Sequence, residues 1–224
     1  MDISFDLQDG IAVITMDDGK KNALTREALD QLHEAMDQAE EVADAIVLAG
    51  RPGSFCAGFD INVMTGGDED AASTLSLQGG RMALRLYECP KPVLAACTGH
   101  AFTIGALWLL ASDTRIGEKG KFKFGMTETA LNRVLPIWAR ELLVTRLNPV
   151  LYTRIVTQSK ILSTKSAVKA GFLDVLVDEG EAVAAAIAEA SELARLPAKA
   201  YAGNKLDLRH DSLERMRDDL GFLR

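Results

Sequence analysis

Apolar and polar positions along this chain follow two periods, and the switches between them mark its elements. Ile3 to Leu7 and Ile11 to Met16 are short β-prone runs. Asp9-Gly10 between them is a strong hairpin signal, because both central positions of a tight turn must accept positive φ. The chain therefore opens with an antiparallel hairpin. Leu29, Leu32, Met36 and Ala39 then recur at helical spacing, with Thr25 placed to cap the first turn. The apolar run Ala45 to Ala49 reads as a buried strand. The polar, Gly-rich stretch TGGDEDAAS, residues 65–73, reads as a mobile interruption before Leu75, Met82 and Leu86 mark a second helix, closed by Pro90 and Pro92.

The second half continues the alternation. PVLAAC is another buried strand, TGHAFTIG the turn after it, and ALWLLASD is too uniformly apolar for a surface helix, which makes it a central one. DTRIG and KFKF fit short strands. From Pro136 onward the signals are helical, with Ser163 capping TKSAVKA and Gly171 ending it. FLDVLVD is a last strand and Glu181 to Leu196 an Ala-rich helix. Pro197 is the only candidate linker, dividing a core, residues 1–196, from a C-terminal helical segment, residues 197–224. Strands alternating with helices predict an α/β fold of β-β-α turns. Two glycine-containing loops, GSFCAGFDI and TGHAFTIG, each follow a strand, where ligands bind in such folds.

Composition narrows the function classes. With 224 residues, 48% of them hydrophobic, the chain can bury a core without disulfides or metals. A net charge of −7 argues against a nucleic-acid partner. Cys56, Cys89 and Cys97 form no disulfide framework and no C-x-x-C pair, and they read as core packing in a reducing compartment. No basic-then-apolar leader and no apolar run of membrane-spanning length is present, so the expectation is a cytoplasmic protein with no membrane partner. Phosphate-loop, dinucleotide and nucleophile-elbow motifs are absent. His33, His100 and His210 are too scattered for a metal site, and none is expected. Trp108 reads as core, and RHDSLERMRDD as a solvated helix face.

Together the segments DDGKKNALT, GSFCAGFDI, CPKPVLAACTGHAFTIGALWLLASDTRIG, FKFGMTETALNRVLP and KSAVKAGFLDVLVD make the chain resemble the crotonase family, the enoyl-CoA hydratase/isomerase superfamily, over nearly its whole length. The resemblance implies a crotonase-like spiral of β-β-α units with a C-terminal helical region. It assigns an acyl-CoA thioester as substrate, coenzyme A being part of that substrate and no separate cofactor being needed. It places the thioester oxygen between the backbone N–H groups of Phe59 and Ile104. Charge builds on that oxygen when a proton leaves the adjacent carbon, and one preorganised donor is worth ~10²–10³ in rate. By the same resemblance Ser54, Phe55, Cys56, Ala57, Phe59, Asp60 and Ile61 belong to the CoA-binding stretch, Asp60 as loop support. Lys20, Lys21 and Lys205 are candidate cations for the CoA phosphates, with surface solvation the safer reading of each. A homotrimer or dimer of trimers is implied, and Leu206, Leu213, Met216 and Leu220 need a surface to cover.

Many hydratases of this family use two glutamates. One position corresponds here to Leu107; the other, in FGMTE, is Glu128. The loop after it reads ETALN, with Asn132 where relatives commonly carry glycine. One carboxylate in an apolar pocket can take a proton from one carbon and return it to another. Leu107 offers nothing to orient water, so isomerisation is favoured. The alternatives are a hydratase with an atypical site and an acyl-CoA-binding member without catalysis.

Overall fold

The computed structural model describes residues 1–222. Strands β1 (Asp2–Gln8) and β2 (Ile11–Asp17) form the expected hairpin, with Asp9 and Gly10 both at positive φ. A first β-β-α turn is completed by β3 (Ala23–Leu24) and α1 (Arg26–Val42), whose first turn Thr25 caps through Ala28 N. The second turn is β4 (Ala45–Gly50), β5 (Gly53–Cys56), β6 (Gly58–Phe59), a short α2 (Ile61–Thr65) and α3 (Glu69–Glu88). The third is β7 (Val93–Cys97), β8 (Gly99–Phe102) and α4 (Ile104–Ala111). The fourth is β9 (Thr114–Glu118), β10 (Lys123–Gly125), a 3₁₀ turn at Thr129–Leu131 and α5 (Ile137–Arg146). There follow α6 (Pro149–Val156), β11 (Leu162–Ser163), α7 (Thr164–Ala170), β12 (Val175–Val177), α8 (Ala182–Ala194) and α9 (Ala198–Asp219).

The first turn gives two strands, the second to fourth turns one each, and β12 the last to a first sheet, ordered β1-β2-β4-β7-β9-β12. The second to fourth turns also supply β5, β8 and β10 of a second sheet, ordered β11-β10-β8-β5. Both are parallel apart from the β1–β2 and β10–β11 pairs. This is the β-β-α spiral that the resemblance implies.

Alternation along the central strands fills two cores. Ile46, Leu48, Val93, Ala95 and Cys97 join the larger one, which contains all of the buried α4. Val47, Ala49, Leu94 and Ala96 point to the opposite face, where Ala182, Ala186 and Ala190 bring α8 close. Small residues at that spacing let the helix backbone approach the sheet.

Four features differ from the sequence reading. The interruption after Thr65 is short, because Asp68 caps α3 through Ala71 N and the helix begins at Glu69. GHAF is a strand rather than part of a turn. A single helix, α9, follows Pro197, and its apolar side chains Leu213, Met216 and Leu220 are buried in the main core, with Leu206 packed against it. The RHDSLERMRDD face is only half solvated: Arg209 pairs with Asp113 at 2.7 Å and stacks 4.2 Å above the Tyr87 ring.

Asn22, in DDGKKNALT, has the largest local role. It sits at φ 56° with no exposed surface, and its amide Nδ2 donates to the carbonyls of Met16 (2.8 Å), Ser54 (3.2 Å) and Phe55 (3.1 Å). It thereby fastens the turn after β2 to β5. Asn22→Gly keeps the backbone conformation and loses the amide, so it should cost about 2 kcal/mol in denaturant unfolding from stranded carbonyls. Asn22→Ala should cost about 1 kcal/mol more, for a side chain at positive φ. A glycine variant within about 0.5 kcal/mol of wild type would show that the amide holds nothing.

Candidate active site

The carboxyl ends of β5, β8 and β10 open into one cavity of about 1040 Å³, the position at which parallel sheets bind ligands. Gly58 turns at φ 110°, a conformation closed to most side chains, and a Cβ there would stand 2.4 Å from the Thr103 hydroxyl. The two glycine-containing loops therefore touch. Asp60 N donates to Leu24 O in β3 at 2.9 Å. Successive amides of an extended strand face opposite ways, so the N–H of Phe59 is turned away from β3.

The second loop is strained. Thr103 lies at φ 48°, ψ −117°, unfavourable for a β-branched residue, and its N–H donates to Gly125 O in β10 at 3.0 Å. It starts α4 without a side-chain cap, leaving the first-turn amides, Ile104 among them, at the positive end of the helix dipole. Leu107, one turn on, is 2% exposed and lines the same cavity.

Glu128 faces this cavity from the segment after β10. Desolvation raises its pKa from 4.5 to about 7, with the backbone N–H groups of Glu128 and Thr127 opposing the rise. Its Oε2 is buried, and no donor among the described residues reaches it. The following turn closes with Arg133 N donating to Glu128 O at 2.8 Å. Asn132 takes φ 55°, ψ 39°, the left-handed conformation that glycine adopts freely and asparagine better than most. The asparagine therefore preserves a turn of the kind a glycine makes. Arg133 Nη2 then donates to Met64 O, tying this loop to α2 across the cavity mouth.

Of the residues read from sequence, Phe59, Ile104, Glu128, Ala57 and Ile61 meet at the cavity. Ser54, Phe55 and Cys56 are in the core instead: Ser54 Oγ donates to Lys21 O at 2.7 Å, and Cys56 Sγ accepts from Gly58 N at 3.5 Å. Strand alternation and the contact with β8 leave their side chains no path to a ligand. Asp60 caps α2 through Asn62 N at 2.8 Å, in keeping with loop support. Lys205 is no surface cation. It is buried and pairs with Asp113 at 2.7 Å, whereas Lys20 and Lys21 are exposed. All three cysteines are buried and free, and desolvation pushes the Cys56 and Cys97 thiols up to about 12. His100 accepts from Lys123 N at 3.0 Å and packs edge-on to Phe122. Among the described residues no group of three His, Cys, Asp or Glu side chains converges as a metal site, and no helix is long and apolar enough to cross a membrane. Sequence reading missed Asn22, whose side-chain amide ties the turn after β2 to β5, and Thr103, whose role is carried by backbone conformation.

Fold and cavity define an α/β protein of β-β-α spiral architecture with a ligand-sized cleft at the carboxyl edge of its second sheet. The chain belongs to the enoyl-CoA hydratase/isomerase family of enzymes, whose model matches residues 6–219. A probable peroxisomal enoyl-CoA hydratase of Arabidopsis thaliana is 32% identical over 90% of this chain and 78% of that protein. With a probable enoyl-CoA hydratase of Rhodobacter capsulatus the match, 35% identical, spans 51% of this chain and 45% of that protein. The solved enoyl-CoA hydratase of Mycobacterium ulcerans superposes with a TM-score of 0.93 at 33% identity, covering 98% of this chain and 96% of that one.

Because the ionised Glu128 is disfavoured in the fold, the native state holds a proton that the unfolded chain releases between about pH 4.5 and 7. Its contribution to stability is greatest below pH 4.5 and is lost as pH rises through 7. Glu128→Gln removes that penalty, so the variant should melt above wild type at pH 8 and near it at pH 4.5. A melting difference independent of pH would contradict the burial.

Proposed function

We propose that this protein isomerises enoyl-CoA thioesters, moving a double bond from the 3 to the 2 position with Glu128 as the sole proton carrier. The observation that carries the reading is Glu128 Oε2, buried and unpartnered in the cavity that Phe59 and Ile104 also line, with apolar Leu107 one turn beyond Ile104. The carboxylate takes a proton from C2 of the 3-enoyl thioester, and the electron pair moves into the thioester carbonyl. The amides of Phe59 and Ile104 hold the resulting oxyanion. The same proton then returns to C4, the double bond settles between C2 and C3, and neither water nor an oxidant is consumed. A carboxylate with a pKa near 7 is a stronger base than an ordinary one and still a usable acid at neutral pH.

Hydration is the rival. Relatives at 32–33% identity are described as hydratases, while a solved Mycobacterium tuberculosis relative, 34% identical, is described as an enoyl-CoA isomerase in one structure and as a probable enoyl-CoA hydratase in another. Similarity alone therefore does not choose between the reactions. Leu107 does favour one, because a leucine can neither hold nor activate water. No metal or separate cofactor enters this scheme. The homotrimer, or dimer of trimers, rests on the resemblance alone, since the apolar face of α9 is covered within the chain. Light scattering at micromolar concentration should give a multiple of three protomers; a monomer would overturn that assembly.

Glu128→Gln should lower turnover of a 3-enoyl-CoA by ~10²-fold or more and leave thioester affinity nearly unchanged. For wild type, kcat/KM should rise with pH to a plateau above about 7, as the base ionises. Leu107→Ala should alter acyl preference or stability more than proton transfer. Wild type should hydrate crotonyl-CoA slowly. Fast hydration that survives Glu128→Gln would overturn the assignment.

A further inference from the structure

Gly79 and Gly80 stand side by side in the interior of α3, where each glycine costs about 1 kcal/mol relative to alanine. Packing supplies a reason for both, and the reasons differ. A Cβ on Gly80 would stand 2.6 and 2.8 Å from ring atoms of Trp138 and 2.9 Å from Leu220, so its absence lets α3 pack against α5 and α9. A Cβ on Gly79 would stand 2.6 Å from two ring carbons of Phe59 and 3.3 Å from Cγ1 of Ile104. These residues come from separate loops and supply the two amides assigned to the thioester oxygen. The Gly79 carbonyl also accepts from Trp108 Nε1 at 3.2 Å, tying α3 to the helix that Ile104 begins.

We propose that Gly79 is a positioning residue for the thioester site, resting on the oxyanion reading above. Its bare Cα is the seat on which the Phe59 ring and the Ile104 side chain both bear, and this common stop sets one donor loop relative to the other. Ile104 has no exposed surface and no room to yield. Phe59 is only half-buried and has cavity on its other side, so a methyl group at residue 79 pushes the far end of the Phe59 ring toward the cavity, and on this proposal the loop behind the ring shifts with it. The displacement carries the amide of Phe59 away from the oxygen, whereas the remainder of the cavity is untouched. A misplacement well under 1 Å is costly at a site that stabilises developing charge.

The test compares two probes on the full chain by calorimetric titration: acetoacetyl-CoA, whose enolate places negative charge on the thioester oxygen, and butyryl-CoA, which stays a neutral thioester. Wild type should prefer acetoacetyl-CoA. Gly79→Ala should cut that preference about tenfold or more and leave butyryl-CoA affinity within about threefold. Gly80→Ala should melt at lower temperature and keep the preference. Phe59→Leu retains the amide but loses the ring that rests on the seat, so it should lose preference by itself. Adding Gly79→Ala to it should then change little, a non-additivity that a general stability defect does not produce. Should Gly79→Ala fail to fold alone, Phe59→Leu still decides, because full preference in that variant overturns the proposal. Unchanged preference in Gly79→Ala, or equal weakening of both probes, overturns the role of Gly79 while leaving the oxyanion reading standing. No preference in wild type removes the oxyanion reading and the role of Gly79 with it.

Discussion

The parallel pairing of β5, β8 and β10 is the constraint from which the rest of the site follows. Each β-β-α turn from the second to the fourth delivers one strand to this sheet, so the carboxyl ends of three sequence-distant strands arrive at one edge. What leaves each end differs: the Gly58–Phe59 turn after β5, the Thr103–Ile104 corner after β8, and Glu128 after β10. The Thr103 N–H donates to Gly125 O, so the corner that starts α4 is locked to the strand that leads into Glu128. Moving either strand moves both groups. The strain held at Thr103 persists because this bond and the fully buried α4 leave the backbone no other path.

Burial does opposite things to the amides and the carboxylate. For an amide at a helix start, a dry surrounding strengthens its hold on negative charge. For Glu128 the same surrounding penalises ionisation and raises the pKa to about 7. On the proposed reading the cavity then favours charge on the ligand oxygen over charge on the protein, which is the direction in which a proton must move for an enolate to form. The cost falls on stability, as expected where a buried group is kept for its chemistry.

Most elements were legible in the sequence because local rules decide them. Asp9-Gly10 needs two positive φ values and gets them; Thr25 caps α1, and Ser163 and Gly171 bound α7. The rest depends on partners far along the chain. DEDAAS is polar enough to read as loop, yet it forms the first turn of α3 once Asp68 caps it. GHAF is too short to show a period and becomes a strand only because β5 and β10 flank it. Lys205 and Arg209 look solvated until Asp113, nearly a hundred residues earlier, takes both. At the candidate site, the motifs that carry the resemblance singled out Phe59, Ile104 and Glu128, and all three line one cavity. Ser54 to Cys56 have buried side chains outside the cavity lining, because a motif fixes residues in order and does not say which face of a strand a side chain takes.

The exchange of a carboxylate for Leu107 is physically coherent with the remainder of the cavity. The position lies one turn along α4 from Ile104, so a glutamate there would face the cavity from a helix that is buried along its entire length. A second carboxylate in that wall would raise the pKa of both through desolvation and mutual repulsion. Only a reaction that needs two proton carriers and an oriented water repays that cost. With leucine that wall carries no ionisable group, and on the proposed reading the proton taken from the ligand waits on Glu128. On the proposed reading, return of one proton between two carbons needs a carboxyl group free of competing partners beside the ligand, and the unpartnered Oε2 of Glu128, in a cavity that apolar Leu107 also lines, is suited to that task.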